Sequence, residues 1–449
     1  MMELNYSVLF AVTAGTFIIG LILHHRMQTG LERLYLWAFL CGIYVICGFG
    51  SAYTEVPHSY SVMYLVYVAA AGAGFAVVVN LFRDAGARTC RKIDWRLSRI
   101  DATYIAIIGF WLYFTSVVFP LVYPTMRLNL LWNPPLPDLQ AAFGFGVAPD
   151  KAVIERLVGY VTLLCYPVYL WRLHAYLTRP VHLALAVFGP LYLIYCSDSY
   201  MGRGTILMGV GLYVMLLWRN CRRARKYLVV TLVVVAPLAV IASALYTRVR
   251  LTGSLSGSVS VSDEVWASVR LETGLPLNAA VVLDSGERVN VGDLALWAVT
   301  LPLPKVLTGN IVTFQPNFDM AEIITNIPQG ARAFSVALPG VVGESVYFGG
   351  PWFYWISAVV TGGIFGFLCA LCSKSNQLGG VTAYCVLLWP NIFIRAGLDA
   401  GLPMIINGLF PFLVVAVLVS SRGSTNRANG VMRSPNAKRL VPTHAALEE

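Results

Sequence analysis

Residues 241–262 read IASALYTRVRLTGSLSGSVSVS, and what changes inside them decides the fold. Up to Tyr246 the chain is apolar enough to lie in hydrocarbon. From Arg248 and Arg250 onward it turns basic and then rich in Gly and Ser. The change opens a water-compatible stretch of about 100 residues, 247–350, which carries Arg270, Arg288, Lys305 and Arg332 among several carboxylates. On either side the chain returns to one hydrophobic run after another.

Those flanking runs set the class. Hydrophobic residues make up 57% of the 449 and charged residues only 12%, against about 25% charged in soluble globular chains. A helix of about 20 apolar residues crosses the roughly 30 Å of bilayer hydrocarbon with its backbone bonded internally. Runs of that kind fall near 5–23, 34–50, 60–81, 102–123, 154–171, 181–197, 202–218, 227–246, 352–372, 379–396 and 402–420. The expected fold is therefore all-α: a polytopic integral membrane protein of about eleven transmembrane helices with one large extramembrane loop. Its parts are eight helices with short loops over 1–246, the loop over 247–350, three helices over 351–420 and a disordered tail over 421–449.

Charge gives the expected orientation. Only Glu3 precedes the first run, while His24, His25 and Arg26 follow it, the reverse of a cleaved signal segment. Segments 24–33, 82–101, 172–180, 219–226, 373–378 and 421–449 hold 21 of the 32 Lys and Arg. The positive-inside rule puts these in the cytoplasm, with the N-terminus and residues 247–350 outside. The net charge of +10 is then explained by loops facing anionic lipid, with no call for nucleic acid. The nine cysteines lie in the apolar runs or the cytoplasmic segments and the exterior loop has none, so neither a disulfide framework nor a cysteine metal site is expected.

Chemistry outside the membrane draws on the exterior polar residues. Arg203 sits in Gly202-Arg203-Gly204 where a new helix begins, after the short segment containing Asp198. Its guanidinium and the helix amides suit an anion, or it reaches up to lipid headgroups. Arg248 and Arg250 leave the eighth run together and Arg270 follows; each is either a solvated charge or part of a cluster. Arg395 and Asp399 lie at the exterior end of the tenth run, four residues apart. On a continuous helix they share a face and form an ion pair, or they are a functional cation and its orienting carboxylate. Glu344, in Gly343-Glu344-Ser345-Val346-Tyr347-Phe348, sits among apolar residues just before the ninth run. It reads either as a capping carboxylate or as a base for a hydroxyl proton. Tyr347 and Phe348 suit a sugar face or the interfacial aromatic belt.

Absences narrow the chemistry. Of the six histidines only His58 is expected outside, and no Asp-x-Asp pair or P-loop occurs. Neither a metal nor another cofactor is expected.

In its motifs and topology the chain resembles the Wzy-type O-antigen and oligosaccharide repeat-unit polymerases of bacterial inner membranes, with the closest likeness to the enterobacterial common antigen polymerases. The residues carrying the resemblance are Gly202-Arg203-Gly204, Arg248 and Arg250, Val269-Arg270, Gly343-Glu344 with Tyr347-Phe348-Gly349, and Arg395-Ala396-Gly397-Leu398-Asp399. Ala396 departs from the common-antigen branch, which carries an acidic residue type beside the last arginine. The resemblance implies a metal-independent glycosyltransferase that moves a growing glycan from undecaprenyl diphosphate onto a new lipid-linked unit at the periplasmic face. It also implies a flippase and a chain-length regulator as partners, beside membrane lipid. Arg203, Arg248, Arg250, Arg270 and Arg395 are then the expected diphosphate ligands. Glu344 is the first choice of base, followed by Asp198 and Asp399. Two alternatives stay open: an O-antigen ligase, whose expected loop histidine is missing from 247–350, and a lipid-linked oligosaccharide flippase or transporter.

Overall fold

The computed structural model describes residues 4–90, 260–300, 316–329, 331 and 337–374, most of 179–187 and 393–402, and isolated positions elsewhere. Among the described residues the structure is helical, apart from one isolated antiparallel bridge between Leu4 and Tyr53. Eight α-helices position the site: α1 (Tyr6–Arg26), α2 (Gly30–Ile43), α3 (His58–Cys90), α4 (Val261–Thr273), α5 (Leu275–Ser285), α6 (Val291–Thr300), α7 (Pro316–Thr325) and α8 (Gly340–Lys374).

Four segments are long and apolar enough to cross a membrane: Tyr6–Arg26, Glu32–Ala52, His58–Phe82 and Gly340–Ala370. They correspond to the first, second, third and ninth expected spans. The protein is thus an all-α membrane protein. Most of the expected fourth to eighth, tenth and eleventh spans, and the whole 421–449 tail, lie outside the described residues.

Local chemistry explains where these helices start. The Asn5 side chain accepts from the amides of Ser7 (3.2 Å) and Val8 (3.3 Å), capping α1. At the other end His24, His25 and Arg26 lie in the last turn, where cations complement the helix dipole. A reciprocal capping box opens α2: the Glu32 amide donates to Thr29 (3.2 Å) and the Glu32 carboxylate accepts from the Thr29 amide (3.2 Å). Gly30 therefore begins a helix that its own propensity does not favour.

The core is a stripe down α3. Tyr60, Tyr64, Tyr67, Val68, Ala71 and Phe75 recur at three- and four-residue spacing and are all buried. Against Ala71–Phe75 lies α8, and there the two backbones touch. A β-carbon on Gly362 would strike the Ala71 carbonyl, one on Gly74 the Val359 carbonyl, and one on Gly366 the Phe75 carbonyl. Without a hydrophobic force between helices in lipid, small residues that allow such contact are what hold them together. Phe39 adds aromatic packing on Phe365 at 4.6 Å between ring centroids. The outward face of α1 is apolar and exposed, with Phe10 at 76%, as a lipid-solvated surface requires.

One end of this bundle collects the chain's distant parts. The Asn5 amide donates to the Ala52 carbonyl (2.8 Å), and the Tyr53 hydroxyl meets the Thr273 hydroxyl at 2.7 Å. The N-terminus, the turn around residues 49–57 and the α4–α5 pair therefore share an end. Residues 24–33 are at the other.

The ninth expected span differs in its start. The helix begins at Gly340 rather than 352 and runs on through a kink, where Gly350 has φ 65° and ψ −174° and Pro351 follows. Proline has no amide to donate and glycine tolerates the positive φ, so one helical segment gives way to the next at this kink. Residues 341–347 are buried, whereas Trp352, Phe353, Trp355 and Ile356 are exposed.

Candidate functional site

The buried first half of α8 carries Glu344 into the shared end of the bundle, where it is 1% exposed. Its two oxygens are both engaged by backbone. One accepts from the Leu398 amide at 2.6 Å and the other from the Asp399 amide at 3.0 Å. Gly397 has φ 74°, and a β-carbon there would collide with the Glu344 carboxyl. The left-handed glycine turns the next two amides toward one point, making a small anion-binding nest that the carboxylate fills. This is the capping geometry that its sequence position allowed, applied to the 397–402 segment and not to Glu344's own helix.

The nest presents Asp399. One of its oxygens accepts from the Trp297 indole N–H at 3.0 Å, the other from the Asn317 amide at 3.3 Å. Asn317 lies in the first turn of α7, where unsatisfied amides and the helix dipole favour a negative charge. Asp399 is half-buried and thus less enclosed than Glu344.

Aromatic rings line one flank. Trp297 packs on Phe348 with centroids 5.7 Å apart, and Phe348 on Tyr347 at 6.1 Å. The Val289 amide donates to the Tyr347 carbonyl (3.2 Å), pinning the approach to α6 against α8. Just ahead of it, Arg288 lies over the kink: a β-carbon on Gly350 would sit 2.9 Å from its Nε.

A further carboxylate, Asp319, stands on α7 beside this group. Partial burial pushes its pKa above the ordinary carboxylate value, and the negative charges of Glu322, Asp399 and Asp293 push it the same way. A hydrogen bond from the Gln329 amide nitrogen at 2.7 Å opposes them. Among the described residues no group of three or more His, Cys, Asp or Glu side chains is arranged to hold a metal ion.

The structure thus brings two of the sequence candidates together, Glu344 and Asp399, and Arg395 is half-buried two residues before Gly397. The left-handed Gly397 lies between Arg395 and Asp399, so the continuous helix behind the shared-face argument is interrupted there. Arg270 is exposed in the last turn of α4, where a cation complements the helix dipole. Asp198, Arg203, Arg248 and Arg250 lie outside the described residues. Sequence reasoning missed Trp297, Asn317 and Asp319. Trp297 sits in an apolar ten-residue segment and had only its indole N–H as a signal, since a buried indole usually finds an acceptor. Asn317 acts through its backbone and gave no signal.

No family model matches the chain, and no curated protein and no solved structure is significantly similar to it. The functional reading therefore rests on the residues themselves.

Proposed function

We propose that the protein is an inner-membrane polymerase of polyprenyl-diphosphate-linked oligosaccharide repeat units, acting at the periplasmic face with its N-terminus outside and C-terminus inside. The observation that carries this reading is the nest at Gly397–Asp399: a half-buried carboxylate held in place beside a Trp–Phe pair, with an arginine one turn away, at the end of a membrane bundle. Aromatic rings beside a carboxylate suit a sugar, and arginines suit the oxygens of a diphosphate.

In this reading the acceptor hydroxyl oxygen attacks the anomeric carbon of the growing glycan. The bond from that carbon to the diphosphate oxygen breaks, and its electron pair leaves with the lipid diphosphate. Asp399 takes the hydroxyl proton, while Glu344, whose oxygens are both engaged, positions it. Arg203, Arg248, Arg250, Arg270 and Arg395 are assigned to the diphosphates, where preorganised cations stabilise the developing charge. The donor is already activated, so no metal or nucleotide is needed.

Purified protein in lipid nanodiscs, given a lipid-linked repeat unit, is expected to make a ladder of chain lengths. Asp399→Asn should lower the rate by about 10²–10⁴, the usual worth of a positioned base. Absence of a ladder with a matched repeat unit, or an unchanged rate in Asp399→Asn, would overturn the reading.

A second reading has one observation in its favour. Transporters build their sites from interrupted helices, and both Gly350 and Gly397 interrupt helices near the buried Glu344. Sealed vesicles separate the two: a flippase moves the lipid-linked unit across the bilayer without lengthening its glycan.

A further inference from the structure

The helix α6 stands in the middle of the stretch that reads as water-compatible, yet beyond its first turn its exposed surface is apolar. Its inner side is fixed. Trp297 is buried against Phe348 and bonded to Asp399, and Leu294 packs into the same core. Its outer side consists of Ala295, Leu296 and Val299, which share a face by their three- and four-residue spacing and are exposed, Val299 to 71%. The polar groups gather at the N-terminal end. Asn290 accepts from the Gly292 amide at 2.8 Å, Asp293 occupies the first turn, and Arg288 and Glu287 precede them.

The sequence continues apolar past the helix: residues 291–304 read VGDLALWAVTLPLP, with Asp293 their one charge. Fourteen such residues are too few to span a bilayer and match a segment that dips into its boundary. The neighbouring surface has the same character. Arg288 lies on the Gly350 kink, and the residues following that kink, Trp352 at 80% and Phe353, are exposed on a membrane-crossing helix. Trp297 on Phe348 and Arg288 at Gly350 thus anchor α6 beside the point where the exposed apolar surface of α8 begins.

We propose that α6 lies in the boundary of the outer leaflet and that Ala295, Leu296 and Val299 contact lipid acyl chains. The opposite face of the same helix holds Asp399, so the site is separated from the bilayer by a single helix. An isoprenoid chain resting against Leu296 and Val299 has its headgroup within one helix diameter of the Trp297–Asp399 pair. The placement of α6 does not depend on the polymerase reading and stands or falls separately.

Spin labels test it. Val299→Cys and Leu296→Cys, each labelled with a nitroxide in a cysteine-free full-length chain in liposomes, should collide with oxygen severalfold more than with a water-soluble nickel chelate. Glu287→Cys, in the turn before α6, should show the opposite preference. Nickel access at Val299 equal to that at Glu287 overturns the proposal, as does spin–spin broadening that reveals a second copy on this face. If the cysteine-free chain does not fold, benzoylphenylalanine placed at Val299 in the native chain and irradiated should give an adduct one lipid heavier by mass spectrometry. Absence of a lipid adduct, or a crosslink to protein, overturns it equally.

Discussion

The two halves of α8 meet at one kink and have opposite surroundings. Before Gly350 every residue from Val341 to Tyr347 is enclosed by protein; after it Trp352, Phe353, Trp355 and Ile356 face outward. The enclosed half carries the ionisable Glu344, and its carboxyl oxygens are met by two amides from a segment more than fifty residues on. From Pro351 to Ala370 the outward half carries no charge, and it uses its glycines to reach α3. Apolar sequence alone therefore does not say whether a stretch is solvated by lipid or by its own protein. The kink at Gly350 is where one solvent is exchanged for the other.

The comparison breaks most severely at Glu344. Glu344→Ala leaves two buried amides without an acceptor, each worth about 1–3 kcal/mol, so it should lower resistance to heat or detergent by several such increments and abolish activity. Glu344→Gln is the gentler variant: it keeps one acceptor oxygen and should recover part of the stability. If Glu344→Ala unfolds like the parent, the enclosed half does not depend on its charge.

Next comes Gly362→Val in the outward half. It forces a branched side chain into the Ala71 carbonyl and should cost at least the ~1–3 kcal/mol of an overpacked core. Proteolysis or thermal shift in nanodiscs would register it. A neutral result would mean that the α3–α8 contact is looser than the structure has it.

Gly350→Ala sharpens the boundary itself. With φ 65° and ψ −174° Gly350 occupies a region all but reserved for glycine, which costs a side-chain-bearing residue about 1–3 kcal/mol, and the added carbon also meets Arg288. The expected outcome is a modest loss of stability with a larger loss of activity, read as kcat falling more than Tm. Activity intact at reduced Tm would show that the bend angle does not matter to the site.

The smallest effect belongs to Asp319, outside the spans. Its pKa is raised in the folded protein by burial and by neighbouring carboxylates, so its ionised form weakens the fold. That penalty is absent below the ordinary carboxylate range and grows as pH rises through the raised pKa. Asp319→Asn keeps an oxygen for Gln329 and should stabilise slightly at pH 7, by less than about 1 kcal/mol. The gain should vanish in acid. A gain that persists at low pH would assign it to something other than charge.

How legible all this was in the sequence depended on distance along the chain. The spans at Tyr6–Arg26, His58–Phe82 and the outward half of α8 are uninterrupted apolar runs, and hydropathy finds them directly. The enclosed half was not legible, because Gly340, Gly343, Glu344, Gly349 and Gly350 make it read as loop. Only the Leu398 and Asp399 amides make that sequence tolerable inside. Glu344, Arg395 and Asp399 stood out as costly charges near span ends. Trp297 and the Asn317 amide did not, since they meet Asp399 across 102 and 82 residues of chain, and no local pattern encodes a pairing of that range.

The glycine contact between α3 and α8 has a consequence in time. Gly362 fits against Ala71, roughly 290 residues earlier, and a ribosome adding about 5–20 residues per second needs about 15–60 s to cover that interval. Throughout it α3 sits in the bilayer with its narrow backbone groove unfilled. A nascent chain of this protein therefore offers a helix-sized vacancy to whatever insertase or neighbouring helix is at hand, and quality control acting on unpaired transmembrane segments has its longest window there.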